Sequence, residues 1–207
     1  MTNRAAAAVV RALDDRQREA TEEVERILSA AIQVMQRVSP DAPRVSDIVT
    51  AAGVSNKAFY RYFAGKDDLM LAVMERGVAL VVSYLQHQMA KESTPQGKIT
   101  RWISGSLAQV ADPELIGMSR ALVGQMSDSD KRRLGEEETM AAMRELLVEP
   151  IRDLGSTDPR RDADAVFVCT VGTMRRYVDS TDQPGRKDIN HLVAFCLRGL
   201  GVGEGER

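Results

Sequence analysis

Residues 44–66 decide the fold and read RVSDIVTAAGVSNKAFYRYFAGK. Their pattern predicts two short helices joined by the turn Gly53-Val54-Ser55. Gly53 can adopt a left-handed backbone conformation, and the hydroxyl of Ser55 can cap the second helix. Two short helices joined by a turn that contains glycine form a helix-turn-helix pattern.

The two faces of this pattern differ in chemistry. Apolar side chains on one face would hold the helices at a fixed angle, and they are Ile48, Val49, Ala52, Val54, Phe59 and Phe63. The second helix of such a pattern enters the major groove of DNA. Asn56 can make two hydrogen bonds to adenine, Lys57 can reach guanine, and Ala58 can touch a thymine methyl group. Donors for phosphate are Ser55, Tyr60, Tyr62 and Lys66.

Net charge, taken alone, argues against nucleic acid. The chain has 28 Lys and Arg against 30 Asp and Glu, a formal net charge of −2 and a pI of about 5.8. Within residues 44–66, however, Asp47 is the one acid, and the basic residues are Arg44, Lys57, Arg61 and Lys66. The positive charge is therefore local. The alternative interpretation is a helical hairpin whose basic residues simply solvate one face.

The rest of the chain also has a helical pattern. With 207 residues, 43% of them hydrophobic, it is long enough to bury a core. Apolar residues recur at intervals of 3, 4, 7 and 8 between segments divided by proline and glycine, which predicts an all-α fold. About nine helices are expected, at 21–38, 46–52, 56–63, 66–90, 96–110, 113–126, 129–154, 161–180 and 186–200.

The last two predicted helices, 161–180 and 186–200, are apolar on more than one face. In the first of them, Val168, Cys169 and Gly172 extend the apolar surface around the helix. Such helices must bury the excess either in the domain core or against another chain, and two from each subunit would build a four-helix bundle. The sequence therefore predicts a homodimer, with a deep core within a monomer as the alternative.

The stretch from about Thr21 to Leu71 resembles the DNA-binding region of the TetR-type bacterial transcriptional regulators. The matching residues are Ile48, Ala52-Gly53-Val54-Ser55, Phe59-Tyr60-Arg61-Tyr62-Phe63, and Lys66 followed by Asp68-Leu69. The resemblance implies about nine helices, dimerisation through the last two, and a DNA-binding surface. Its candidate members are Arg44, Ser46, Ser55, Asn56, Lys57, Ala58, Tyr60, Arg61, Tyr62 and Lys66.

The resemblance also implies a domain division and a ligand. The predicted parts are an N-terminal extension at 1–20, a helix-turn-helix domain at 21–68, a ligand-binding and dimerisation domain at 69–200, and a tail at 201–207. The extension is expected to be a flexible, solvated tail, with an arm that reaches an adjacent DNA groove as the alternative. A small-molecule inducer would contact a set of apolar residues that includes several adaptable methionines. These residues are Trp102, Met118, Met126, Met140, Met143, Phe167 and Met174. The alternative is that they simply form part of the hydrophobic core.

Catalytic chemistry finds little support in the sequence. The candidate groups are His87, His191, Cys169 and Cys196, and they form no metal-binding or nucleophile motif. The cysteines are expected to be reduced thiols that pack in a core, with oxidation sensing as the alternative. No uncharged run reaches the ~18 to 20 residues of a membrane span, which indicates a cytoplasmic protein.

The sequence thus predicts a transcriptional regulator, namely a repressor that a small molecule releases from a palindromic operator. It predicts no enzyme activity, no cofactor and no metal. Two alternatives stay open. The first is a helical dimeric interaction module without DNA binding, and the second is a helical enzyme.

Overall fold

The computed structural model describes residues 4–38, 41–111, 130–178, 180 and 182–202, with backbone alone for residues 5 and 130–136. This part of the chain contains eight α-helices and no strand, so the prediction of an all-α fold is confirmed. The helices are α1 (Arg4–Val38), α2 (Val45–Ala52), α3 (Asn56–Tyr62), α4 (Lys66–Met89), α5 (Pro95–Ala111), α6 (Asp130–Asp153), α7 (Pro159–Val178) and α8 (Arg186–Gly199). The predicted helix at 113–126 lies outside the described residues.

The first helix is longer than the sequence analysis predicted. It was expected to begin at residue 21, but α1 begins at Arg4 and has 35 residues. Its first half is rich in alanine, arginine and other good helix formers, which favour the helix without tertiary packing. The apolar side chains there, Val9, Val10 and Leu13, are between 55% and 60% exposed. Whether this half is flexible stays a prediction.

The chain divides into two compact units, Met1–Val73 and Met74–Arg207. The predicted domain boundary between residues 68 and 69 stays a prediction. In the first unit, α1 packs on α2, and α2 packs on α3. The core consists of fully or nearly fully buried side chains, which include Ile27, Ala31, Met35, Ile48, Phe59, Phe63 and Leu69.

In the second unit, α5 is the central helix and contacts α6, α7 and α8. Trp102 is fully buried, and its indole nitrogen donates a hydrogen bond to the backbone oxygen of Met143 at 3.0 Å. Ion pairs tie α6 to α7: Arg144 to Asp164 at 2.8 Å and Arg160 to Glu145 at 3.1 Å. None of the helices in the described residues is both long and apolar enough to span a membrane.

The last two helices, α7 and α8, leave large apolar side chains exposed. Val168 on α7 is 58% exposed, and Phe195 on α8 is 55% exposed. Gly172 on α7 is exposed as well, and a Cβ atom built there would meet no atom within 4 Å. Cys196 lies in the core of the unit, whereas Cys169 is half-buried and packs against that core.

Candidate nucleic-acid interface

The turn between α2 and α3 has the local chemistry that its sequence predicts. Gly53 adopts a left-handed conformation with φ of 65° and ψ of 31°. Its N–H donates to the backbone oxygen of Thr50 at 3.2 Å and closes α2. Ser55 caps α3, because its hydroxyl oxygen accepts a hydrogen bond from the N–H of Ala58 at 3.1 Å. Both predictions, the left-handed glycine and the serine cap, are confirmed.

The N-terminus of α2 is not capped by a side chain. Arg44 is the cap residue, and its side chain makes no capping hydrogen bond. The backbone oxygen of Arg44 accepts instead from the N–H groups of Asp47 and Ile48 at 3.1 and 3.2 Å. Both Arg44 and Ser46 are exposed, and the hydroxyl of Ser46 is 3.5 Å from the Asp47 carboxylate. They therefore remain on the surface.

The orientation of α3 is set by a buried aromatic ring. Phe59 is fully buried, with its ring centroid 5.6 Å from that of Phe63 and 5.1 Å from that of Tyr60 in an edge-to-face arrangement. The opposite face then carries Asn56 and Lys57, which are exposed, and Tyr60, which is 60% exposed. The structure thus presents an amide, an ammonium and a phenol together on one short helix.

Two residues that the sequence analysis placed on the outside of α3 are in fact half-buried. They are Ala58 and Tyr62. The backbone N–H of Ala58 is bound by the Ser55 cap. For Tyr62 the cause is a contact with α1: its hydroxyl donates a hydrogen bond to the carboxylate of Glu23 at 2.7 Å. Contact of Ala58 and Tyr62 with DNA stays a prediction.

Glu23 also forms an ion pair with Arg61, whose guanidinium lies 4.7 Å from the centroid of the Tyr62 ring. We call Glu23, Arg61 and Tyr62 the Glu23 cluster. The hydrogen bond to Glu23 raises the pKa of Tyr62, and desolvation adds to the rise, while the positive charge of Arg61 opposes it. Sequence reasoning missed Glu23. The one available signal is that Glu23 precedes the buried Ile27 by four residues, about one helical turn.

Lys66 begins α4 and is half-buried. The preceding loop is held by Asp68, whose carboxylate accepts a hydrogen bond from the N–H of Ala64 at 2.8 Å. Acids in the first turn of a helix also interact favourably with its dipole. For Lys57 and Lys66, the described part of the chain offers no carboxylate within ion-pair distance. Arrangements of this kind can attract an anionic surface such as a phosphate backbone.

Five of the seven predicted ligand-contacting residues are described, and they are packed in the second unit. Trp102 and Met143 belong to its buried core, and Met140, Phe167 and Met174 pack against that core, with the Trp102 and Phe167 ring centroids 6.2 Å apart. Met118 and Met126 lie outside the described residues. An open groove of about 470 Å³ lies elsewhere, between α4 and α6, and its lining includes Glu75, Val78, Val82, Gln86, Glu138 and Ala142.

Of the candidate catalytic groups, His87 lies on α4 and His191 on α8, while Cys169 and Cys196 are neighbours. Among the described residues, no three His, Cys, Asp or Glu side chains are grouped so that they could hold a metal ion. Burial raises the pKa of the Cys196 thiol to about 11, and the neighbouring Cys169 adds to the rise. A thiol with so high a pKa is a poor nucleophile near neutral pH, because only the thiolate reacts.

Comparisons with known proteins agree with this geometry. Residues 27–73 match the family described as "Bacterial regulatory proteins, tetR family". An uncharacterized HTH-type transcriptional regulator of Bacillus subtilis (strain 168), YvdT, is 43% identical over 51 residues, which are 25% of this chain and 26% of that protein. The fatty acid metabolism regulator protein of the same organism is 21% identical over 108 residues, 52% of this chain and 56% of that protein.

The chain thus spans about a quarter and about half of the two curated relatives that it matches. Among solved structures, the transcriptional regulator FadR from Bacillus subtilis, in complex with stearoyl-CoA, is similar with a TM-score of 0.66. It is 19% identical, and the match covers 85% of this chain and 96% of that one. Residues 27–73 thus match the tetR family of bacterial regulatory proteins, and the chain shares its fold with FadR.

Proposed function

We propose that this chain is a sequence-specific DNA-binding transcriptional regulator, a cytoplasmic repressor that a small-molecule ligand releases from its operator. The observation that carries the proposal is the surface of α3. Phe59 is buried, and this orientation leaves Asn56, Lys57 and Tyr60 exposed together. A rigid helix that carries an amide, a cation and a hydroxyl has the groups needed to contact base edges and phosphates.

The individual roles follow from donor chemistry. Asn56 can make two hydrogen bonds to adenine, and Lys57 can donate to the acceptor edge of guanine. Tyr60, at 60% exposure, and the half-buried Lys66 supply donors for phosphate. The Ser55 oxygen accepts from the Ala58 N–H, so its hydroxyl hydrogen stays available for a phosphate. Arg44 and Ser46 add polar groups at the start of α2.

The proposed assembly is a homodimer through α7 and α8. What supports it is the exposure of Val168 and Phe195, which are large apolar side chains on these two helices. Burial of such side chains against a second copy would remove apolar surface from water. A two-fold dimer would then bind a palindromic operator whose half-sites are about 34 to 36 Å apart.

The proposed ligand is a small molecule bound by the second unit. Support comes from FadR, a protein of the same fold whose structure contains stearoyl-CoA. A long-chain acyl thioester is therefore the first class of compound to test. The ligand must bind two arrangements of the dimer with different affinity, because otherwise it would shift no equilibrium.

The test starts with selection of bound fragments from a random duplex pool, followed by binding assays on the selected operator. Lys66→Ala and Tyr60→Ala should weaken binding to all sequences, whereas Asn56→Ala and Lys57→Ala should relax the preference at particular base pairs. Lys91→Ala is the matched control, since Lys91 is exposed and lies in the other unit. Stearoyl-CoA should then release the operator.

Outcomes separate this proposal from its alternative. If Lys66→Ala and Tyr60→Ala both leave operator binding unchanged, the surface of α3 and α4 is not the DNA-binding surface. If no fragment is enriched while the protein remains dimeric, a dimeric interaction module without DNA binding becomes the better interpretation. If stearoyl-CoA has no effect, a wider screen of compounds tests the ligand part separately.

A further inference from the structure

The Glu23 cluster contains two of the proposed DNA contacts, and both are already paired. Arg61 forms an ion pair with Glu23, and the hydroxyl of Tyr62 donates to the same carboxylate at 2.7 Å. A tyrosine hydroxyl has a single proton to donate. While that proton is held by Glu23, Tyr62 can accept hydrogen bonds but cannot donate one to a phosphate oxygen.

The charge of Arg61 is offset in the same way. Its side chain is 59% exposed, whereas the side chain of its partner Glu23 is 20% exposed. A cation beside a carboxylate presents a dipole to its surroundings and not a net charge. Its attraction for a distant phosphate is therefore small at physiological ionic strength.

Support of the fold is a weak explanation for this arrangement. α3 is already anchored by the fully buried Phe59 and by the Ser55 cap. Ion pairs in which one partner is largely exposed contribute little to stability. The cluster's larger effect is on the charge and the donors of the surface that carries Asn56, Lys57 and Tyr60.

We propose that Glu23 is a specificity-determining residue: its carboxylate occupies Arg61 and Tyr62 in place of phosphate and so suppresses sequence-independent DNA binding. The inference rests on the proposed function. DNA phosphates would have to displace Glu23 before they could use either donor. Affinity then depends more on the base contacts of Asn56 and Lys57, and less on the phosphate backbone that all sequences share.

The test measures binding of the full chain to a random-sequence duplex by fluorescence anisotropy over a range of salt concentrations. Glu23→Gln removes the charge and keeps the shape of the side chain. We expect about threefold to tenfold tighter binding at low salt and a salt slope steeper by about 0.9, which corresponds to one added phosphate contact. Glu22→Gln is the matched control, because Glu22 is exposed on the same helix and gives the same change in net charge.

Two further variants test the mechanism. The gain from Glu23→Gln should disappear in the Arg61→Ala background. Arg61→Ala alone should weaken random-duplex binding less than Lys66→Ala does, and this comparison does not depend on how well Glu23→Gln folds. Equal gains in Glu22→Gln and Glu23→Gln, or weaker binding in Glu23→Gln, would overturn the proposal.

The results also distinguish this inference from the proposed function. If the wild type binds DNA and Lys66→Ala weakens binding, but Glu23→Gln gives no gain, the role of Glu23 is refuted and the function stands. If Glu23→Gln binds while the wild type does not, the role of Glu23 is supported and the wild-type function is in question. If neither protein binds any duplex, both are refuted.

Discussion

Substitutions of Ser55, the cap of α3, should change the stability of the fold and the affinity for DNA separately. α3 has only seven residues, and the Ser55 hydroxyl satisfies the N–H of Ala58 at 3.1 Å. Loss of a serine cap costs about 0.5 to 2 kcal/mol, typically about 1 kcal/mol. We therefore expect Ser55→Ala to lower the free energy of unfolding by about 1 kcal/mol, because the Ala58 N–H loses its partner and so short a helix has few other bonds.

Ser55→Asp should keep the stability of the fold and weaken DNA binding. Aspartate is as good a cap as serine, so stability should return to within about 0.5 kcal/mol of the wild type. Its negative charge would face phosphate, so DNA affinity should fall and the loss should shrink as salt is added. Urea unfolding gives the first quantity, and anisotropy with a duplex gives the second.

The control is Ser83→Ala, at an exposed serine within α4. It makes the same chemical change without a cap, and we expect its free energy of unfolding to stay within about 0.5 kcal/mol of the wild type. The reasoning would be refuted if Ser55→Ala were as stable as Ser83→Ala. It would also be refuted if Ser55→Asp bound DNA as tightly as the wild type.

Three other predictions concern the second unit. Gly105→Ala would place a Cβ 2.8 Å from Cδ2 of the fully buried Leu85. Overpacking destabilises the fold by about 1 to 3 kcal/mol, whereas the higher helix propensity of alanine stabilises it by about 1 kcal/mol. Thermal unfolding should therefore show net destabilisation. Ser106→Ala should raise the melting temperature, because the buried Ser106 hydroxyl has no hydrogen-bond partner among the described residues. Cys196, with its pKa raised to about 11, should be alkylated by iodoacetamide more slowly than Cys169 in the native protein. The stability that the buried neutral thiol of Cys196 contributes should be lost as the pH rises toward 11.

The elements that could be predicted from sequence are those with a local cause. Gly53 and Ser55 act on backbone groups within a few residues of themselves, and Phe59 belongs to a short apolar pattern. The local sequence around these residues is therefore enough to predict the turn, the cap and the buried ring. The all-α fold follows for the same reason, since helical periodicity is a property of neighbouring residues.

What could not be predicted depends on distant partners. Tyr62 is half-buried because Glu23, 39 residues earlier, accepts its hydroxyl proton. A tyrosine at the end of a polar helix is compatible with either exposure or such a contact, and only the packing of α1 decides between them. The ligand-contacting residues depend in the same way on how four or more helices enclose space, which periodicity does not determine.

The helical N-terminal half of α1 argues against an arm that enters the minor groove. An arm that enters the minor groove must be narrow, since that groove is about 6 Å wide, whereas a helix with side chains is about 10 to 12 Å across. α1 is helical from Arg4 onward, and Asp15 pairs with Arg18 at 3.1 Å within it.

A helix of this width does not fit the minor groove, and its exposed Val9, Val10 and Leu13 bury little surface. We therefore expect deletion of residues 2–16 to leave operator affinity within about twofold and to change the free energy of unfolding by less than about 0.5 kcal/mol. Anisotropy with the selected operator and urea unfolding of the shortened protein are the measurements. A tenfold loss of affinity would show that the extension unwinds and contacts DNA, and the argument from helix width would then fail.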